Sequence, residues 1–100
     1  MISEHLGHGA SNAMTARQLS NLLGMERRLL VKAIEKERRQ GIPICASTDA
    51  SNPGYYLAAN EAELDAYTRQ LWKRAGEIHK TRRLMIENCK ALSTASEVTL

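Results

Sequence analysis

Residues 15–57 read TARQLSNLLGMERRLLVKAIEKERRQGIPICASTDASNPGYYL. Thr15 is a suitable N-cap, its hydroxyl placed to accept from a backbone N–H two or three residues on. Gln18, three positions later, can complete a capping box. Leu19, Leu22 and Leu23, joined by Ala16, form one apolar face of a two-turn helix. Gly24 can take the left-handed conformation that ends it, and Met25 packs the turn. A second helix is predicted from about Glu26 to Gln40. Leu30, Ala33, Ile34 and the stem of Glu37 or Arg38 fall on one side at three- and four-residue spacing. Arg28, Lys32, Glu35, Lys36 and Arg39 fall on the other, and Gly41 ends the helix. Ile42–Ala46 is a short β pattern whose Pro43, lacking an N–H, suits an edge or a strand start. Ser47–Gly54 is built of turn formers and small residues, with Pro53-Gly54 as a strong turn signal, and Tyr55–Leu57 is the return strand. The order is helix, turn, helix, hairpin.

Outward from this stretch, residues 1–13 hold one short helical or extended piece, with Ile2 and Leu6 as apolar contacts and Gly7 and Gly9 loosening the chain. Asn60 caps a third helix, with Glu61 and Glu63 in the first turn where the helix dipole favours acids. That helix meets no Pro and one Gly, Gly76, before about Cys89 or Leu92. About thirty residues rising 1.5 Å each give roughly 45 Å, more than the rest of the chain can cover. Leu64, Leu71, Ile78, Met85 and Leu92 recur every seventh residue. Thr68, Ala75, Arg82 and Cys89 fill the other seam position, so one half of the seam is apolar and the other mixed. Tyr67 and Trp72 flank its first part and could pack back on the preceding elements. The expected architecture is mainly α with a small β-hairpin. It comprises a winged helix-turn-helix domain over 1–58, a long C-terminal helix over 59–92 for dimerisation or docking, and a flexible tail over 93–100.

One hundred residues suit one small domain with a modest core. Charge is unevenly spread. Met14–Gly41 carries seven Lys or Arg against three Glu, Ser47–Thr68 carries four acids and no base, and Arg69–Lys90 carries seven bases against two acids. Two basic helices separated by an acidic segment suggest a nucleic-acid partner more than the net charge of +3 does. Cys45 and Cys89 form no CxxC pair, and Cys45 reads as a small buried hydrophobe. No signal-peptide pattern and no apolar run near the ~20 residues that span a bilayer is seen, so a cytoplasmic chain with reduced thiols and no membrane partner is expected.

A helix-turn-helix followed by a hairpin offers one helix to the major groove of DNA and the hairpin to its flank. Arg27, Arg28 and Lys32 would lie in the N-terminal half of that helix, the part that reaches base edges, and Arg can grip guanine O6 and N7 with both arms. Arg17, Lys36 and Arg39 would more naturally touch phosphates. The alternative is a solvated charged face with Glu35–Arg39 and Lys32–Lys36 spacing. The Ser47–Asn52 loop holds Asp49 and no base, unlike many wings. Ser47, Thr48, Ser51 and Asn52 could still donate to phosphates, or the loop contributes little. Tyr55 and Tyr56 alternate across the strand, so one should face the core and the other solvent. His5, His8 and His79 with Cys45 and Cys89 have no zinc-site spacing, so no metal is expected. No paired carboxylates, Ser/His/Asp set or glycine-rich phosphate loop marks an enzyme, and no cofactor is expected.

The run HLGHGASNAMTARQLSNLLGMERRLLVKAIEKERRQGIPICAS, followed by PGYYLAANEAEL and a long basic helix, resembles small winged-helix proteins of phages and prophage-like regions. These are similar in fold to the DNA-binding parts of phage regulators and replisome organisers. The resemblance covers about residues 1–90. It is most specific at Gly41-Ile42-Pro43-Ile44, at Pro53-Gly54-Tyr55-Tyr56-Leu57 and over Gly9–Ala16. It implies a small phage-type transcriptional regulator that binds double-stranded DNA. A homodimer through the Leu64, Leu71, Ile78 and Met85 seam would place two recognition helices on a two-fold operator. Arg82 on that seam and Gly76 within it weaken a tight coiled coil, so a short, partly packed dimer is expected. The alternative is a helix folded over its own domain with its far end offered to a partner protein. Two rival functions stand beside the regulator. One is a protein-interaction or assembly module of phage replication or packaging with little DNA affinity. The other is an origin binder of the replisome-organiser kind.

Overall fold

The computed structural model describes residues 1–99, with side chains through Cys89. Its elements are α1 (Ala16–Leu23), α2 (Arg27–Arg39), β1 (Ile44–Ser47), β2 (Gly54–Leu57) and α3 (Glu61–Thr99), preceded by 3₁₀ turns at Ile2–His5 and Ala10–Asn12. The chain is thus mainly helical with a two-stranded antiparallel hairpin. It divides into two compact units, Met1–Tyr67 and Thr68–Leu100. Among the described residues no helix is long and apolar enough to cross a membrane.

The capping box at α1 forms as the sequence predicts. Thr15 Oγ1 accepts from the Gln18 N–H at 3.0 Å and Gln18 Oε1 from the Thr15 N–H at 2.9 Å. Gly24 ends α1 at φ 62°. Leu19 is buried and Leu23 half-buried, but Leu22 is 59 % exposed. The expected apolar face is therefore narrower than predicted. In so short a helix Ala16, Leu19 and Leu23 already cover the side that meets α2, and Leu22, at about 100° per residue, turns away from it.

The hairpin pairs Ile44 with Leu57, Cys45 with Tyr56, Ala46 with Tyr55 and Ser47 with Gly54. Its β1 strand starts two residues later than the Ile42–Ala46 pattern and takes in Ser47, leaving Thr48–Pro53 as the loop. On its other edge β2 is met by the N-terminal segment. Gly9 N–H donates to Leu57 O at 2.8 Å, Leu57 N–H to Gly7 O at 2.9 Å, and Met14 and Tyr55 exchange bonds of 2.9 and 2.7 Å. Strand β2 therefore lies between two partners, with His8 and Met14 forming single bridges to it.

This arrangement covers both hairpin faces. Ile44, half-buried Leu57 and half-buried Tyr55 pack with Ile2, Leu6, Leu19, Leu30 and Ile34. Cys45 and Tyr56 pack on the other side with Tyr67, Leu64 and Ala10. The expectation that one tyrosine faces solvent is corrected: each tyrosine enters a different cluster. The physical reason is that residues 7–14 and the first turns of α3 close the second face, which a bare hairpin would leave wet.

The α3 helix begins at Asn60, whose Oδ1 accepts from the Glu63 N–H at 2.9 Å. The helix runs to Thr99, past the stop expected near Cys89 or Leu92. Leu92 and the expected tail 93–100 lie outside the residues whose side chains are described. Tyr67 is buried, whereas Trp72 is 83 % exposed, against the expectation that both pack back.

Gly54 sits at φ 118°, and a Cβ there would run into the Met14 carbonyl. Gly54→Ala should lower stability by more than about 1 kcal/mol in urea unfolding, because strain and collision act together. Gly76→Ala should instead raise it by about 0.5–1 kcal/mol, since the position is helical and a Cβ would meet nothing within 4 Å.

Candidate functional site

Helix α2 presents two sides of different chemistry. Leu30, Ile34 and Glu37 are buried. Arg28, Lys32, Glu35, Lys36 and Arg39 are exposed, as the predicted spacing requires. Leu29 and Val31 are also exposed and flank the charged stripe on either side. Arg39 is partly spent: its Nε donates to Glu35 Oε1 at 3.2 Å, an exposed pair one helical turn apart. Such pairs contribute little to stability, but this one sets a carboxylate against the Arg39 charge at the end of the stripe. Among the described residues no ion pair is found for Arg28, Lys32 or Lys36.

The other predicted contact residues fall in three places. Arg17 on α1 and Arg27 at the start of α2 are exposed and, with Ser20 and Met25, line one surface depression. Thr48 and Asn52 are exposed in the hairpin loop. Ser47 is not a loop residue: it is half-buried in β1, and its Oγ accepts from the Asp49 N–H at 3.2 Å. Asp49 in turn accepts from the Ser51 N–H at 3.0 Å and its carbonyl from the Asn52 N–H at 3.2 Å. The acid that makes the loop electrostatically unusual is therefore its turn-forming residue, as short Asx side chains commonly are.

Of the predicted seam, Leu64 packs half-buried against the Cys45–Tyr56–Tyr67 cluster and serves the first unit's core. Leu71, Ile78 and Met85 are exposed, Ile78 and Met85 at 60 % and 65 %. Ile78 and Met85 share a shallow apolar strip with Arg74, Glu77, Thr81 and Arg82. His5, His8, His79, Cys45 and Cys89 form no cluster: among the described residues no three His, Cys, Asp or Glu gather as metal ligands.

What orients α2 is a pair of residues whose roles the pattern did not disclose. Glu37 is 6 % exposed, and its carboxylate accepts from the Ile2 N–H at 2.8 Å and the Ser3 N–H at 3.0 Å. Burial alone would favour the neutral acid, but the Ser3 and Ile2 amides, the Ser3 hydroxyl and the amino terminus outweigh it and hold the pKa below its ordinary value. Arg38 donates from Nε to the Ile44 carbonyl at 2.8 Å and from Nη2 to the Tyr67 hydroxyl at 3.0 Å. Its guanidinium also stands over the Tyr67 and Tyr55 rings, 5.4 and 5.9 Å from their centres. Spacing places both side chains near the apolar side of the helix. The partners that make them anchors come from remote segments and leave no local signal.

On the far side of the hairpin, Glu63 accepts from the Ala59 N–H at 2.9 Å and the Ala10 N–H at 3.3 Å, tying α3 to the N-terminal segment. Burial first, then the Glu63 charge, pushes the Cys45 thiol pKa up. Burial, then Cys45 and Glu63, does the same for the Tyr56 phenol. These groups stay neutral and structural at physiological pH. No protein-family model, curated protein or solved structure matches the chain, so the site rests on its own geometry.

Glu37 makes stability pH-dependent in a defined direction. Its folded pKa lies below the ordinary 4.5, so its contribution is fully present above that value and is lost as pH falls through it toward the folded pKa. Unfolding free energy measured from pH 7 to pH 3 should fall for the native chain and be flatter for Glu37→Gln. Glu37→Ala should cost about 1–3 kcal/mol at pH 7, since it leaves two amides unpaired.

Proposed function

We propose that this chain is a winged helix-turn-helix protein that binds double-stranded DNA as a small phage-type transcriptional regulator. The observation that carries the reading is the outward stripe of α2: Arg28, Lys32 and Lys36, one turn apart, exposed and without carboxylate partners among the described residues, on a helix whose opposite side is buried. Arg28 and Lys32 belong to the half of the helix suited to base edges, and Lys36 to the half suited to phosphates. Exposed Leu29 and Val31 beside them suit contact with thymine methyl groups. Thr48 and Asn52 in the hairpin loop are offered to the sugar-phosphate backbone. The mechanism is occupancy of an operator without chemistry. The resemblance to phage winged-helix proteins supports the same reading.

The protein acts as a homodimer in this proposal, through exposed Leu71, Ile78 and Met85 of α3 rather than through Leu64, which the first unit already uses. A second reading, a protein-interaction module of phage assembly or replication, draws on two observations. The hairpin loop carries Asp49 and no base, and α3 exposes apolar side chains that a partner protein could cover.

Selection of bound sequences from a random duplex library should enrich one roughly palindromic motif, with affinity falling by about 0.9 log units per log unit of salt for each phosphate neutralised. Arg28→Ala should cost about 1–3 kcal/mol on that motif and relax one base position, whereas Lys36→Ala should weaken all duplexes alike and reduce the salt slope by about 1. Equal loss on every sequence for Arg28→Ala overturns the base-reading role, and absence of any DNA affinity moves the protein to the interaction reading. In sedimentation experiments the native chain should be a dimer and Ile78→Asp a monomer of unchanged fold.

A further inference from the structure

The side of α3 that faces away from Leu71, Ile78 and Met85 carries a different pattern. Trp72, Gly76, Lys80 and Arg83 follow one another at intervals of four, four and three residues. At about 100° per residue they fall on one strip of the helix, roughly 16 Å long. Lys73 borders the strip beside Trp72. From Arg69 to Arg83 the helix holds six bases and one acid, Glu77. Lys73, Lys80 and Arg83 are exposed and have no ion pair among the described residues, although Glu77 and Glu87 lie within one turn of them.

Two observations set this strip apart from a solvated charged face. Trp72 is the chain's single tryptophan, and at 83 % it is the most exposed large apolar side chain among the described residues. Helical side chains lean toward the N-terminus, so a side chain at position 76 would lie over the turn that holds Trp72. Gly76 has none, and a Cβ there would meet nothing within 4 Å. Close packing therefore does not account for a glycine inside a helix, where it costs stability. Its effect is to leave the indole ring uncovered, with two cations further along the same strip.

We infer that Trp72, Gly76, Lys80 and Arg83 form a binding strip for single-stranded nucleic acid, separate from the stripe of α2. The cations hold the sugar-phosphate backbone along the helix, and an unpaired base stacks on the indole face in the space over Gly76. In a duplex the internal bases are already stacked on both faces, so the ring selects single strands. An anionic membrane fits the pattern less well. A helix lying in a membrane surface sets Trp with its apolar residues, whereas Trp72 stands among the bases and the Leu71–Ile78–Met85 side is interrupted by Arg82. The assignment does not depend on what α2 binds, and the strip stays open in the dimer proposed above.

Because Trp72 is the single tryptophan, its fluorescence reports on this strip alone. Oligodeoxythymidylate titrated into the full chain at constant ionic strength should quench it saturably, whereas a duplex of equal length should not. Lys80→Gln/Arg83→Gln should lower the slope of log affinity against log salt by about 1.4, the value for two phosphates of a single strand. Gly76→Leu leaves every charge in place and fills open space, so it should keep the helix but weaken binding roughly ten-fold by covering the ring. Arg28→Ala/Lys36→Ala should leave the quenching unchanged, which separates this strip from the α2 reading. Absence of saturable quenching, equal quenching by the duplex or by polyphosphate, which has charge but no bases, or unweakened binding by Gly76→Leu overturns the proposal. A blue shift with phosphatidylserine vesicles and no response to oligodeoxythymidylate overturns it in favour of a membrane surface.

Discussion

The Arg38 guanidinium is the contact on which the first unit's arrangement turns. One side chain joins the end of α2 to the carbonyl of Ile44 in β1, to the hydroxyl of Tyr67 in α3, and to the ring faces of Tyr55 and Tyr67. Hydrogen bonds from a cation are stronger than those between neutral groups, and ring faces stabilise a charge removed from water. Glu37, its neighbour, performs the opposite task on the other flank, holding the Ile2 and Ser3 amides with a buried carboxylate. Two adjacent charged residues thus tie the end of α2 to both remote ends of the unit. With the inward side committed in this way, the outward side is left to Arg28, Lys32 and Lys36.

A polar solution of this kind follows from size and composition. The chain has three Tyr, one Trp and no Phe, and Trp72 is exposed, so little large apolar surface is available to a small core. Leucine and isoleucine fill the cluster beneath α1 and α2, while alanines, Cys45 and two tyrosines fill the one on the other hairpin face. Charged anchors supply orientation that apolar contacts alone, being non-directional, do not supply. Their burial is tolerated because each charge has partners: backbone amides for Glu37, a carbonyl, a hydroxyl and aromatic faces for Arg38.

Much of the layout is legible in local sequence. Thr15 with Gln18, Gly24, the three- and four-residue spacing of Leu30 and Ile34, the Pro53-Gly54 turn and the Asn60 cap each act within a few residues, so their effect is written beside them. The same locality explains what was misread. Leu22 has the chemistry of a core residue, but a helix as short as α1 has no second neighbour to cover it. Tyr55 and Tyr56 alternate as expected, yet residues 7–14 come back from the start of the chain to close the face assigned to water. Leu64 fits a heptad seam in sequence and a domain core in space.

The sequence by itself determined the order of helices and strands, the polarity of the two sides of α2 and the residues that cap the starts of α1 and α3, because periodicity and capping are short-range consequences of backbone geometry. Tertiary structure alone decided which charges are surface and which are structural. Arg28 and Arg38 are the same residue type on the same helix; spacing sets them on different sides, but nothing within a few residues of Arg38 names the groups it binds. They differ because Ile44 and Tyr67 are brought to Arg38 by the fold, whereas the outward side of the helix receives no such partner.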